Sequence, residues 1–162
     1  MMTISTGDRI PAATFKKMTA DGPVEVSSDA LFAGRTVALF SVPGAFTPTC
    51  SAKHLPGFID KAGDIRAKGV DEIVCTAVND AFVMGAWGNA AGAGDKVSML
   101  ADGNGDFVRA LGLEMDARGA GMGVRGQRFS MLVTDGVVTR LNIEAPREYK
   151  VSSAEHLLAQ LD

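Results

Sequence analysis

The chain has 162 residues, 46% of them hydrophobic and 22% charged, which is the composition of one globular domain spanning residues 1–162. A net charge of −3, with lysines and arginines scattered along the chain, excludes a nucleic-acid binder that neutralises phosphates and a basic membrane-surface helix. No apolar run reaches membrane-spanning length, no leader precedes the first polar segment and two cysteines make no secreted disulfide framework, so the expected address is the cytoplasm.

In chain order, ATFKKMTADGPVEVSS (13–28) reads as a hairpin turning at Asp21-Gly22-Pro23. TVALFSV (36–42) is a short β-rich apolar run stopped by Pro43-Gly44, the pattern of a buried strand. From Ser51 to Gly69, Leu55, Phe58, Ile59, Ala62 and Ile65 fall at helical spacing, with Pro56 expected to kink that helix or delay its regular part. EIVCTAV (72–78) is a second buried strand, and Asn79-Asp80 cap a helix over 80–92. VSMLAD (97–102) predicts a third strand, 105–113 a short helix, 128–143 a hairpin turning at Thr134-Asp135-Gly136, and 152–161 a closing helix capped by Ser152 or Ser153. This order predicts an α/β domain with a mixed central sheet flanked by helices.

The stretch VPGAFTPTC (42–50) joins the first buried strand to its helix, so its turn lies at the carboxyl end of a sheet strand, where α/β folds build sites. Cys50 then falls in the first helical turn, among unpaired amides and the positive end of the helix dipole, which stabilise the reactive thiolate. Pro48 fixes the chain before it, and Thr47 can aim its hydroxyl at the sulfur or at an oxygen bound beside it. A helix terminus supplies only about 0.3–1 kcal/mol, so a cation is needed as well. An isolated cysteine after a turn would read as a small buried hydrophobe; the Pro43, Thr47 and Cys50 spacing on a strand, turn and helix argues for chemistry instead.

Those residues, continued by SAKHLPGF, resemble the active-site loop of peroxiredoxins, and most closely that of the Prx5 (type II) subfamily; VCTAVNDAFVMGAWG and RFSMLVTDGVVTRLNIE extend the resemblance over nearly the whole chain. The resemblance implies a thioredoxin-like fold and an antioxidant thiol peroxidase that reduces hydrogen peroxide and alkyl hydroperoxides, with Cys50 as the peroxidatic cysteine. It also implies that Thr47 and Arg128 complete the peroxide site. Arg128 is a permanent cation able to hydrogen-bond a peroxide oxygen, and Pro43, Thr49 and Cys50 are the expected substrate contacts, with the Thr49 and Cys50 amides facing the developing negative charge. Two-cysteine relatives carry a resolving cysteine after the stretch matching LNIE, and residues 142–162 have none. A one-cysteine cycle follows, needing no bound cofactor and regenerated by an external thiol: glutathione, with or without glutaredoxin, then thioredoxin.

The remaining chemistry-bearing residues read as follows. Cys75 lies mid-strand and is expected to be a buried, inert thiol. His54 shares a helix face with Cys50 and is expected to support the site, although a Cys50–His54 hydrolase is an alternative, as is a catalytically silent thioredoxin-like binding or holdase module. His156 reads as a surface residue. GMGVRG (121–126) has a dinucleotide-fingerprint spacing but the wrong element order, so it is expected to be a flexible loop leading to Arg128; Arg125 is the competing candidate for the active-site arginine, but as a loop residue it is expected in solvent. Two cysteines and two histidines make no metal site. Phe46, Phe82, Met84 and Trp87 fit either a core or an interface, and the resemblance implies a homodimer.

Overall fold

Residues 3–161 are described by a computed structural model; Met1, Met2 and Asp162, which the single-domain reading includes, lie outside it. The two apolar runs become adjacent parallel strands at the centre of the sheet, β3 (Thr36–Ser41) and β4 (Glu72–Ala77), with Phe40 opposite Cys75 in the register. Around them are β1 (Thr14–Thr19), β2 (Gly22–Ser27), β5 (Ser98–Ala101), β8 (Phe129–Thr134) and β9 (Val137–Ile143). The seven strands run β2-β1-β5-β4-β3-β8-β9, parallel from β5 to β3 and antiparallel at both flanks. This is the thioredoxin-like mixed sheet.

Strand alternation splits the core into two layers. Ala38, Phe40, Ile73, Cys75 and Ala77 point to one face, under α2 (Leu55–Ala67), α3 (Ala81–Ala91) and α5 (Ala154–Ala159). Val37, Leu39 and Val74 point to the other, against Phe32 of α1 (Ser28–Phe32) and Phe107 and Leu111 of α4 (Asp106–Leu111). Asp80 caps α3 by accepting the Val83 N–H, and Ser153 caps α5 by accepting the His156 N–H. No helix among the described residues is long and apolar enough to cross a membrane.

Three local features differ from the sequence expectation. The first hairpin turns at Ala20-Asp21, with Gly22 (φ +105°) already in β2, because that backbone suits only glycine. The short α1 has too few residues to show helical periodicity. Gly121–Gly126 is not a loop throughout: Val124–Gly126 forms β7, pairing antiparallel with β6 (Glu114–Asp116). A fourth feature follows the expectation for Pro56: the regular part of the helix after Cys50 is delayed. Cys50–His54 is wound as a π-helix, and the Leu55 N–H reaches back five residues to the Cys50 carbonyl. Pro56 has no N–H to give the regular i−4 bond, so the wider turn sits immediately before it and the α-helix begins at Leu55.

Candidate active site

The loop from Pro43 to Thr49 leaves the end of β3 and is held from several sides. The Ala45 N–H donates to Asn79 Oδ1 (2.9 Å), and Arg125 donates from Nη1 to the Pro43 carbonyl (3.3 Å) and from Nε to the Met122 carbonyl (2.8 Å). Gly44 permits a close approach: a Cβ there would meet Arg125 Nη1 and Met122 Cε at 3.1 Å, so those side chains would have to give way. Phe46 takes a left-handed φ of +64°, which a bulky residue adopts only where its surroundings hold it. Arg125 is therefore not solvated as expected; the small β6–β7 hairpin carries it onto the loop.

Directly after the loop the helical segment opens with Cys50, whose side chain is completely buried. Arg128, one residue before β8, donates from Nη2 to Cys50 Sγ at 3.1 Å and from Nη1 to His54 Nδ1 at 2.8 Å. His54 Nε2 lies 2.9 Å from the Ser152 carbonyl. A guanidinium can only donate and a carbonyl can only accept, so His54 must carry its proton on Nε2 and accept on Nδ1. Burial, and then the Arg128 charge, push the His54 pKa down to about 3, so the ring is neutral. Phe40 and Tyr149 enclose the ring, with centroids 4.7 and 5.1 Å away. Among the described residues Arg128 has no carboxylate in salt-bridge contact.

Thr47 departs from its expected orientation. Its hydroxyl hydrogen goes to the Gly44 carbonyl at 2.7 Å, not to the sulfur, so toward an incoming molecule Thr47 can only accept. The reason is local: the turn puts Gly44 O three residues back within reach, where it also receives the longer Thr47 N–H bond at 3.4 Å. Among the described residues, no acceptor takes the Thr49 or Cys50 backbone N–H. A cleft of about 550 Å³ opens in front, lined by Pro43, Thr49, Arg128, Met115, Pro146 and Tyr149.

Cys75 is just as buried but sits in mid-strand, and burial followed by the nearness of Cys50 raises its thiol well above the ordinary range. Both cysteines are free. Phe46 and Phe82 are exposed, whereas Met84 and Trp87 are core residues, so only two of the four interface candidates face outward. Trp87 Nε1–H instead braces the site by donating to Ser51 Oγ at 3.1 Å. His156 is partly buried on α5 rather than freely exposed. Glu144, Ser152 and Asn79 belong to the site's support, although the sequence marks Asn79 and Ser152 only as helix-cap candidates and Glu144 not at all; each carries ordinary polar chemistry whose importance lies in where the fold brings it.

The Redoxin family profile matches residues 5–158. The chain is 53% identical to the chloroplastic peroxiredoxin-2E-2 of Oryza sativa subsp. japonica, over 98% of this chain and 73% of that protein. It is 47% identical to peroxiredoxin-2B of Arabidopsis thaliana, over 99% and 100% of the two. Among solved structures it superimposes on reduced Prx3 of Vibrio vulnificus in complex with hydrogen peroxide with a TM-score of 0.95, at 52% identity over 99% of this chain and 100% of that one.

Proposed function

The chain belongs to the Redoxin family as a peroxiredoxin of the Prx5 type and is a thiol peroxidase, and within that activity we propose that Cys50 is the peroxidatic cysteine, assisted by Arg128 and Thr47. The observation that carries this reading is the 3.1 Å bond from Arg128 Nη2 to Cys50 Sγ, from a guanidinium whose other nitrogen is already held by a neutral histidine. A fixed cation beside the sulfur favours the thiolate over the thiol and costs no reorganisation when the reaction begins.

The Cys50 thiolate attacks one peroxide oxygen as the O–O bond breaks. The departing oxygen takes the electron pair and, from solvent, the proton equivalent to the one the thiol released on ionising, and leaves as water or an alcohol, while the attacked oxygen keeps its hydrogen and Cys50 becomes a sulfenic acid. Thr47, its own hydrogen committed to Gly44 O, accepts from the attacked oxygen's O–H and aims that oxygen at the sulfur. Arg128 and the Thr49 and Cys50 amides donate to the oxygen on which charge develops. The roughly 550 Å³ of the cleft beside Pro43, Thr49 and Arg128 supports hydrogen peroxide and alkyl hydroperoxides as the substrates we assign. His54 is a support here: both of its nitrogens are engaged away from the sulfur, which disfavours the hydrolase alternative.

Reduction of the sulfenic acid is assigned to an external thiol, glutathione with or without glutaredoxin first and thioredoxin second. Cys75 lies inside β4 with both sheet faces covered, and a disulfide needs its Cα atoms within about 7 Å and its sulfur directed at the partner. The exposed Phe46 and Phe82 support a homodimer formed beside the site. The test is intact mass after one equivalent of peroxide, with and without glutathione. A single oxygen on Cys50, replaced by a glutathione adduct, is expected; an intramolecular Cys50–Cys75 disulfide would overturn the one-cysteine cycle.

A further inference from the structure

Just beyond β9, Glu144 is buried to 6% exposure although it carries a charge. Its backbone N–H donates to the Arg128 carbonyl at 3.0 Å, which places its backbone beside that of the arginine, yet its carboxylate is bonded by residues 150–152 and not by the guanidinium. It accepts the N–H groups of Lys150 (2.8 Å), Val151 (2.8 Å) and Ser152 (2.7 Å) and the Ser152 hydroxyl (2.7 Å). Three successive amides converging on one anion form a nest of the kind that binds phosphate or carboxylate ligands, here filled by the chain's own side chain. Burial alone would raise the Glu144 pKa; these hydrogen bonds together hold it below the usual carboxylate range.

The nest orders residues 150–152, and the Ser152 carbonyl is the acceptor that keeps the His54 proton on Nε2. That tautomer leaves Nδ1 free to accept from Arg128 Nη1, and Arg128 Nη2 is then held on Cys50 Sγ. Remove the acceptor at Nε2 and the ring can place a hydrogen on Nδ1, where it would oppose the guanidinium hydrogens donor against donor. We propose that Glu144 is a positioning residue for Cys50, acting through the 150–152 nest, the Ser152 carbonyl, His54 and Arg128 in turn. Because the carboxylate is satisfied by amides and not by the guanidinium, it orders the arginine without taking up its charge. The inference rests on the reading that Arg128 acts on Cys50.

The experiment compares the 162-residue chain with its Glu144→Ala and Glu144→Gln variants, the latter keeping one oxygen for the amides. Two quantities are read: the pH profile of Cys50 alkylation by iodoacetamide, resolved by peptide mass, and the ¹⁵N shifts of the His54 ring. The wild type should show the Nε2–H tautomer. In Glu144→Ala the alkylation midpoint should move up by about one pH unit, peroxide reduction near neutral pH should slow about tenfold and a second His54 tautomer should appear. Glu144→Gln should shift in the same direction by less. A folded Glu144→Ala with the wild-type profile and tautomer would reduce Glu144 to a structural role; if that variant does not fold, the same result in Glu144→Gln overturns the proposal. Wild-type peroxide consumption is measured alongside: its absence would remove the peroxidase assignment, while alkylation and ring shifts still decide the relay.

Discussion

Cys50 and Cys75 are equally buried, share one core layer and differ in almost everything that matters chemically. Cys75 is locked in the middle of β4 opposite Phe40, where its surroundings favour the neutral thiol. Cys50 stands at a helical start, with a guanidinium 3.1 Å from its sulfur and free amides around it. Burial by itself makes a cysteine inert; burial beside a fixed cation makes a dry, oriented nucleophile. The contrast is one of partners.

The strongest way to break that contrast is to exchange the roles by mutation. Cys50→Ser should abolish peroxide consumption with the fold intact, whereas Cys75→Ser should keep the wild-type rate constant. The second change has its own signature in stability, because a buried hydroxyl without a partner costs about 1–3 kcal/mol. Loss of turnover in folded Cys75→Ser, measured by peroxide consumption under excess reductant, would erase the distinction.

Next in size are the groups that set Cys50 apart. Arg128→Met should slow the peroxide step by about 10²-fold, and Thr47→Val by a similar or smaller factor, the scale for one well-placed group meeting transition-state charge. Arg125→Met removes a brace on the Pro43 carbonyl but nothing at the sulfur, so its effect should be several-fold at most. Stopped-flow rates for the three variants check the order. A larger effect of Arg125→Met than of Arg128→Met would mean that the wrong arginine was assigned to the sulfur.

The strand, turn and helix around Cys50 were legible because Pro, Gly and Thr constrain the chain locally and the flanking apolar runs show their period. The inert place of Cys75 was legible for the same reason: five apolar or small neighbours leave a mid-strand cysteine nowhere polar to go. Arg128 entered through family resemblance and a need for cationic charge, since nothing local to QRF says that β8 will lie against β3 and bring its guanidinium to residue 50. The π-helical start, the Thr47 hydroxyl's turn toward Gly44 and the β6–β7 hairpin depend on single hydrogen bonds or short pairings that leave no periodic trace. Glu144 was invisible for a stronger reason. Its burial is tolerated only because three amides from residues 150–152 meet it, and that is a property of the folded loop.

His54 sharpens the comparison from a third buried group, through stability and not rate. In the unfolded chain its imidazole takes a proton near pH 6.5, whereas in the folded protein burial and the Arg128 charge delay protonation to about pH 3. Between those values the unfolded chain holds one more proton, so acid draws the equilibrium toward unfolding. The contribution is fully present above pH 6.5 and is lost as pH falls toward 3, at up to about 1.4 kcal/mol per pH unit. Glu144, with its depressed pKa, adds to the loss only once pH falls into and below the ordinary carboxylate range. Burial raises the Asp102 carboxyl, but that group is common to both chains, so the difference between wild type and a variant that does not titrate at residue 54 isolates the histidine. His54→Gln can still donate to the Ser152 carbonyl and accept from Arg128, but it does not titrate. Urea unfolding at pH 7.5 and 5 should show a clear acid loss for wild type and a flatter response for the variant, by up to about 2 kcal/mol. Equal slopes for the two chains would mean that His54 takes its proton in the folded protein as readily as in the unfolded one. The neutral ring could not then be what holds the guanidinium of Arg128 at Cys50 and leaves Cys75 without one.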